Sequence, residues 1–336
     1  MSYLFIIKIL LLFSSSATSN ETFNIAFGSC LDEEKEIPIW DSIEKFNPNV
    51  FVFLGDNVYG DRQFGVPVRL NDSLKSLENA YSILSKHKRR FNQFNLLMTW
   101  DDHDYGYNDF GKDYPYKIQS KKLFLDFWEV KKSDPRWSNQ DGIYYAKDFK
   151  VAENHIRFIL LDTRFNRSAL ERNDNRNIKK KYLPTSNIEK TILGENQWKW
   201  LKNKLDKKVD LFILASSIQV LPQKHGWEKW ANFPHERKKL LDLITQTNQK
   251  AIILSGDRHF GAIYETRNKE NKLVEFTSSG LNTYRNARDP IEKVVSSKAF
   301  SGYNFGGIEI NFSSRTLIGG IYDMDGKRRI TKEIGF

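Results

Sequence analysis

The chain has 336 residues, of which 40% are hydrophobic and 14% aromatic, so it can build a substantial core and is not intrinsically disordered. Its formal charge of +10 suits an anionic substrate or an anionic surface. The basic residues occur in short separated runs, such as 86–90 and 177–182, and such runs do not indicate a nucleic-acid-binding module.

The N-terminus has the pattern of a secretory signal peptide over residues 1–19. An apolar run at 3–13 precedes a small polar stretch with a cleavage site near 17–19. The apolar run is too short to span a bilayer, and no later window is suited to do so. We therefore expect export, a mature chain without a membrane span, and one catalytic domain over 20–336. Lys8 inside the apolar run leaves a membrane-anchoring N-terminus or a wrong start codon as alternatives.

Strand-like and helical patterns alternate along the chain, and towards the C-terminus strands follow one another. This order predicts a layered α/β sandwich with sheets of mixed strand direction. A polar, unperiodic segment at 166–187 is predicted to be a surface loop or a partial lid. The helical patterns cover 38–46, 73–87 and 195–205. The strand candidates are 22–27, 49–54, 95–100, 156–162, 210–215, 251–255, 273–277, 307–312 and 316–322.

Three apolar runs that resemble buried strands stop at an aspartate, at Asp56, Asp101 and Asp257. Ligands bind beyond the carboxyl ends of strands in open parallel sheets, so these acids are expected to converge. Asp56 is the best candidate to bridge two cations, because Gly55 before it lets the backbone turn away. The acidic run from Asp101 to Asp104 would repel itself unless cations or hydrogen bonds compensate its charge. The pattern predicts a metal site that handles phosphate.

Other candidate ligands lie near these acids in the sequence. Tyr59 follows Asp56 by three residues, where a phenolate could bind a ferric ion. Asp257 and His259 point the same way on an extended segment, so both could face one binuclear centre. Cys30, the single cysteine, excludes an internal disulfide framework. Its position at the end of the first strand-like run leaves two roles open, a small buried residue or a metal thiolate.

Six motifs occur in order between residues 22 and 282. They are FGSC at 27–30, LGDNVYGD at 54–61, TWDDHDYG at 99–106, LDTR at 161–164, LGENQWKWL at 193–201 and SGDRHF at 255–260. This set resembles the alkaline phosphatase D (PhoD-like) family of calcineurin-like metallophosphoesterases. The resemblance implies a four-layer α/β/β/α sandwich and hydrolysis of small phosphate mono- or diesters at a centre of ferric iron and calcium.

The resemblance also implies roles for single residues. The iron ligands would be Cys30, Asp56, Tyr59 and His259. Asp56 would bridge to a second metal that Asp102 and Asp257 also hold, and these extra carboxylates favour a large hard ion such as calcium. The wider superfamily has a further histidine ligand, and neither His225 nor His235 can be assigned to it from the sequence.

The implied mechanism is in-line attack on phosphorus by a metal-bound hydroxide. His103 matches the phosphate-facing histidine of the superfamily and would protonate the leaving oxygen. Arg164 and Asn108 would be substrate or supporting residues, since an arginine fork suits phosphate oxygens. Two alternatives stay open: a phosphodiesterase or phospholipase-D-like specificity, and a metal- or phosphate-binding protein without turnover. The sequence does not indicate the oligomeric state.

Overall fold

The computed structural model describes residues 21–175, 180–266, 272–287 and 299–336. The predicted signal peptide at 1–19 lies outside these ranges. Within them, no helix has both the length and the apolar character that crossing a membrane requires.

Strands and helices alternate through most of the described chain. The strands are β1 (Thr22–Gly28), β2 (Val50–Leu54), β3 (Arg62–Gln63), β4 (Val66–Pro67), β5 (Asn95–Thr99), β6 (Tyr145–Val151), β7 (Asn154–Leu160), β8 (Glu171–Arg172), β9 (Tyr182–Leu183), β10 (Leu211–Ser216), β11 (Ala251–Ser255), β12 (Gly261–Glu265), β13 (Val274–Ser278), β14 (Asn304–Asn311), β15 (Thr316–Asp323) and β16 (Arg328–Gly335). The helices are α1 (Trp40–Phe46), α2 (Ser73–Leu84), α3 (Lys88–Phe91), α4 (Asp102–Tyr105), α5 (Lys117–Phe127), α6 (Pro135–Ser138), α7 (Gly194–Leu205) and α8 (Pro234–Gln246).

Two six-stranded sheets form the centre of the described structure. The first has the order β16-β15-β14-β1-β2-β5 and the second the order β12-β13-β11-β10-β7-β6. β1, β2 and β5 are parallel in the first sheet, and β7, β10, β11 and β13 are parallel in the second. Antiparallel strands complete each sheet. The predicted mixed strand direction is confirmed.

Alternate residues of β2 face two different apolar cores, as the two-residue period of a strand requires. Val52 and Leu54 belong to the core between the two sheets. Phe51 and Phe53 point the other way and surround Trp40 of α1, with ring centroids 4.8 and 5.9 Å from it. Each fully buried side chain of this kind contributes about 1.5–3 kcal/mol, so this packing fixes α1 on the first sheet.

The second sheet repeats this arrangement on its own outer face. Ile213 of β10 faces the core between the sheets, whereas Leu214 packs in a third core with Trp198 of α7 and Leu240 of α8. The layers are therefore helices, sheet, sheet and helices. This is the four-layer α/β/β/α sandwich that the sequence predicts.

The segment predicted to be a surface loop or partial lid is more ordered than its composition indicates. β8 pairs with β9 inside it, and Arg167 and Tyr182 are buried. Residues 176–179 lie outside the described residues. The described part of 166–187 is therefore mostly loop, held by this short hairpin and by two buried side chains, and a partial lid stays a prediction.

Candidate metal centre and substrate cleft

Residues that follow β1, β2 and β5 of the first sheet and β11 of the second sheet meet at one edge of the sandwich. Cys30 follows β1, Asp56 follows β2, and His259 follows β11, and their ligand atoms lie within 4.8 Å of one another. Two further groups meet the same distance limit, Asp56 with Asp102 and His103, and Asp56 with Asp101 and Asp257. Asp56 belongs to all three groups, as a residue that bridges two ions would.

The backbone at four of these positions has a left-handed conformation that residues other than glycine rarely adopt. The φ angle is 60° at Cys30, 48° at Asp56, 66° at Asp257 and 58° at His259. Such conformations cost about 1–3 kcal/mol each and persist where the surroundings enforce them. Gly55 has a φ of 98°, and a Cβ atom there would lie 2.6 Å from the Cβ atom and the backbone nitrogen of Asp101. Four of the eleven left-handed non-glycine residues of the described chain are therefore candidate ligands.

The thiol of Cys30 and the carboxyl group of Asp56 lie together without a cation to balance them. Cys30 Sγ donates to Asp56 Oδ2 at 3.4 Å and lies 3.0 Å from Ser279 Oγ. Burial raises the pKa of the Cys30 thiol to about 11. Burial, with the neighbouring Cys30 and Asp102, raises the pKa of Asp56 well above its usual range. A metal ion would replace the protons that these groups otherwise hold.

His259 is oriented by hydrogen bonds to Thr283 and Ser279. Its Nδ1 donates to the carbonyl oxygen of Thr283 at 2.9 Å, and its backbone N–H donates to Ser279 Oγ at 2.7 Å. This leaves Nε2 for a metal, the arrangement by which proteins orient histidine ligands. Burial and the charge of Arg285 lower the pKa of His259 to about 3, so the imidazole is neutral and its lone pair is available near pH 7.

The ring of Tyr59 lies between two histidines. Its centroid is 4.4 Å from that of His103 and 6.4 Å from that of His259. Its hydroxyl group is buried and finds no hydrogen-bond partner of good geometry among the described residues. The backbone N–H of Tyr59 donates to Glu33 Oε2 at 2.8 Å, which holds the residue from behind.

These donors fit the metals that the resemblance implies. Thiol, phenol, imidazole and carboxylate together suit a transition metal such as ferric iron, and the unpartnered hydroxyl of Tyr59 is an oxygen that such an ion would satisfy. The group of three carboxylates that includes Asp101 and Asp257 suits a hard cation. Asp101 Oδ2 is likewise buried without a hydrogen bond.

The acidic run at the start of α4 is compensated in two ways. Asp104 caps the helix and accepts from the backbone N–H of Asp101 at 2.6 Å and from Asn57 Nδ2 at 2.6 Å. Asp102 accepts from the backbone N–H of Asp109 at 2.7 Å. Burial opposes ionisation of Asp102, but the charges of His103 and Arg164 and the hydrogen bond from Asp109 together outweigh it and hold the pKa well below its usual range. Asp102 is therefore anionic, as a metal ligand would be, whereas Asp104 accepts hydrogen bonds from the backbone and from Asn57.

His103 lines the cleft and is paired with Asp61, an acid that the sequence motifs do not assign to the site. Its Nδ1 lies 2.6 Å from Asp61 Oδ1, and Asp61 Oδ2 accepts from the backbone N–H of Asn108 at 3.0 Å. Burial alone would lower the pKa of His103, but the charges of Asp102 and Asp61 raise it. The ring therefore holds a proton to higher pH than a free histidine does.

Arg164 lies beneath the cleft and does not line it. It is fully buried, and its Nε donates to Asp101 Oδ1 at 2.6 Å and its Nη1 to Glu228 Oε2 at 2.7 Å. Arg167 pairs with Glu228 Oε1 at 2.9 Å. The expected contact between Arg164 and phosphate does not agree with this position, because both sides of its guanidinium already bind carboxylates. The structure gives it the other role that the sequence allows, that of a supporting residue.

Neither candidate for the further histidine belongs to the three ligand groups. The Nδ1 of His225 accepts from the backbone N–H of Trp227 at 3.2 Å, and His235 Nε2 lies 2.6 Å from the carbonyl oxygen of Lys190. At the end of β10, Ser217 donates to Asp101 Oδ1 at 2.6 Å. A serine rather than a histidine thus follows β10, and it binds the additional carboxylate of Asp101.

A cleft of about 840 Å³ lies over the ligand groups. Among the predicted residues, Asp102, His103, Asn108, Asp257 and His259 line it. Basic side chains also line the cleft, namely Arg62, Lys181, Arg258 and Arg285. Trp227 contributes an aromatic surface, whereas Trp230 is buried in the core. Asp109 and Glu228 also line the cleft, but Asp109 pairs with Lys181 and Glu228 with Arg164 and Arg167. The other basic side chains of the wall suit an anionic substrate.

The family model for PhoD-like phosphatases matches residues 25–315. The chain belongs to the PhoD-like phosphatase family. This PhoD-like chain is similar to the solved structure of PhoD, with a TM-score of 0.69, 16% identity, and 94% of this chain and 72% of the other covered. GAP50, described as the anchor in the inner membrane complex of Plasmodium, gives a TM-score of 0.58 at 15% identity and covers 94% of this chain and 89% of its own.

A dimetal phosphatase from Danio rerio also has this fold, with a TM-score of 0.58, 14% identity, and 94% of this chain and 99% of its own covered. No curated protein matches the PhoD-like chain. The family match and the three ligand groups together identify the chain as a metal-dependent phosphoesterase, which is a phosphoric ester hydrolase.

Proposed function

We propose that this PhoD-like phosphatase is an exported enzyme that hydrolyses phosphate mono- or diesters with iron and calcium. One observation carries the proposal: three groups of ligand atoms share Asp56 and lie under a cationic cleft. Cys30, Tyr59 and His259 supply the mixed sulfur, oxygen and nitrogen donors that suit iron. Asp102 and Asp257 supply the oxygen donors that suit calcium.

Bound iron and calcium ions would supply Lewis acidity and lower the pKa of water at the centre. The residues of the chain would do the rest. His103 holds a proton at a ring whose Nδ1 is fixed by Asp61, so Nε2 is available to protonate the leaving oxygen. Asn108, anchored to Asp61 through its backbone, presents its side chain at the cleft wall.

Arg164 contributes to this mechanism through another residue. By pairing with Asp101 and Glu228 it fixes two carboxylates beneath the cleft. Positive charge for the phosphate oxygens comes instead from basic side chains at the wall, such as Arg258.

The proposal is tested by hydrolysis of 4-nitrophenyl phosphate and bis(4-nitrophenyl) phosphate by purified protein supplied with iron and calcium. Asp56→Ala is the test variant, and Asp206→Ala, an exposed residue after α7, is the control. We expect turnover by the wild type and the control and none by Asp56→Ala, and the ratio of the two rates decides between monoesterase and diesterase. If protein that contains both metals cleaves neither ester, a binding protein without turnover, or an enzyme with a much narrower substrate, is favoured instead.

Export is tested by expression of the full-length chain. Members of the family are usually exported. We expect a mature N-terminus near residues 17–19, determined by mass spectrometry of the protein recovered outside the cytoplasm. An intact N-terminus on cytoplasmic protein would contradict this part of the proposal.

A further inference from the structure

A second cavity of about 380 Å³ opens beside the cleft. His103 lines the cleft, and Asp61 lines the second cavity. The two side chains are hydrogen-bonded, so they lie in the wall between the cleft and the second cavity. A leaving group that receives a proton from His103 therefore has the second cavity next to it. Four residues line both spaces, namely Arg62, Asn108, Asp109 and Lys181.

Arg62 places a positive charge at this junction without an acidic partner. Among the described residues, no carboxylate forms an ion pair with its guanidinium group, and its Nε is buried without a hydrogen bond. The ring of Tyr59 lies against it, 5.8 Å from the guanidinium carbon. A buried donor without an acceptor is unfavourable, so its presence between two cavities indicates that a ligand supplies the acceptor.

The remaining charges of the second cavity favour an anion as that ligand. Arg172 of β8 also lines it and has no ion pair among the described residues. Asp61 is already bound by His103 and by a backbone N–H, and Asp109 accepts from Lys181 and Tyr182. The third acid, Asp113, is exposed. Arg172 is exposed as well, so the uncompensated charge that is partly buried in the cavity is the positive charge of Arg62.

We propose that the second cavity binds an anionic group of the leaving alcohol, with Arg62 as its main contact and Arg172 as a second one. The substrates would then be phosphate esters whose leaving group carries a carboxylate or a second phosphate. An arginine fork binds either group through paired N–H donors. The inference rests on the phosphoesterase function proposed above.

Binding of phosphonates, which are not hydrolysed, tests this inference independently of turnover. Calorimetry on the metal-loaded protein compares propylphosphonate, 3-phosphonopropionate and propane-1,3-bisphosphonate, which share a three-carbon chain. We expect the two probes that carry a second anionic group to bind about tenfold more tightly than propylphosphonate. This is the size of one charge-assisted contact. Which of the two binds better identifies the anion as carboxylate or phosphate.

The variants Arg62→Ala and Arg172→Ala are compared with Arg89→Ala, an exposed arginine of α3 away from both cavities. We expect Arg62→Ala to remove most of the preference for a second anion, Arg172→Ala to reduce it, and the control to keep it. Equal affinity of the wild type for all three probes, or no binding of any, would overturn the inference. So would an equal loss for all probes in Arg62→Ala, which would place Arg62 on the phosphonate itself. Hydrolysis of 4-nitrophenyl phosphate, followed in parallel, shows separately whether the phosphoesterase function holds.

Discussion

Two buried polar clusters lie side by side at the edge of the sandwich, and they differ in how their charges are balanced. The ion-pair chain consists of Asp101, Arg164, Glu228 and Arg167, in which each acid faces an arginine. The ligand cluster consists of Cys30, Asp56 and His259, together with Tyr59, whose ring centroid is 6.4 Å from that of His259. Its one basic side chain is a histidine that is neutral near pH 7. The first cluster balances its charges internally and joins the metal site only through Asp101, whereas the second needs a cation.

This difference shows why residue type alone does not identify a binding residue. Arg164 and Arg62 are both arginines that follow a strand-end motif. Arg164 is neutralised on both sides by carboxylates, and Arg62 faces two cavities without one. Charge balance among the neighbours, not the side chain itself, separates a supporting arginine from one that is free to bind substrate.

The largest expected effect comes from changing the ligand cluster. Asp56→Ala should remove both metals, because Asp56 belongs to all three groups of ligand atoms. His259→Ala should remove iron and leave the second ion. The loss of activity in Asp56→Ala should exceed the roughly 10²–10⁴-fold that a positioned acid contributes. Metal content by mass spectrometry and kcat/KM measure this, and an Asp56→Ala protein with two bound metals would refute the role of the ligand cluster.

His103 lies between the two clusters, and its replacement should slow catalysis without releasing metal. We expect His103→Ala to lower kcat by about 10²–10⁴-fold with leaving groups that need a proton. Asp61→Asn should shift the fall in activity at high pH to lower pH, because Asp61 raises the pKa of His103 and the acid form is lost above that pKa. Rates with good and poor leaving groups over a pH series measure both effects. An unchanged profile would show that His103 is not the acid.

The ion-pair chain should control stability. Arg164→Ala leaves Asp101 and Glu228 buried without their counter-charge, so we expect a loss of about 3–5 kcal/mol in the free energy of unfolding. Lys75→Ala, which breaks an exposed pair with Glu78, should cost less than about 1 kcal/mol. Urea denaturation of both variants measures this contrast. Equal losses would mean that burial does not distinguish the ion-pair chain.

The smallest expected effect is a pH dependence at Glu33, behind Tyr59. Burial raises the pKa of Glu33 to about 7 from its ordinary 4.5. A raised folded-state pKa gives stability that is present below pH 4.5 and is lost as the pH rises through about 7. In metal-free protein, Glu33→Gln should therefore gain up to about 3 kcal/mol over the wild type between these limits. Urea denaturation at pH 4.5 and pH 8 tests it, and a constant difference would contradict it.

The sequence predicts the layers and the strand ends because buried parallel strands are continuous apolar runs with few alternatives. It does not predict α5, since Lys121 occupies the buried face and interrupts the apolar period. In the structure that ammonium group donates to the carbonyl oxygens of Asn139 at 2.7 Å and Asp141 at 3.2 Å, which no local pattern reveals. The edge strands β6 and β16 are also absent from the prediction, because most of their residues are polar and few are buried, so they contain no continuous apolar run.

The residues of the site also differ in whether the sequence predicts them. Positions that follow directly from a strand end, such as Cys30, Asp56 and His259, are predictable and lie together in the structure. Asp61, Arg62 and Glu228 have roles that depend on partners far away in the chain or on the shape of a cavity, and these become visible only when the two sheets are packed together.

The left-handed backbone at Cys30 places stability and function in opposition. A glycine would adopt a φ of 60° without strain, whereas a cysteine does so at a cost. A population of variants selected only for resistance to heat would therefore tend to lose the thiol. The persistence of cysteine at this position would record selection by the metal, and a metal-poor environment would be the setting in which that selection relaxes.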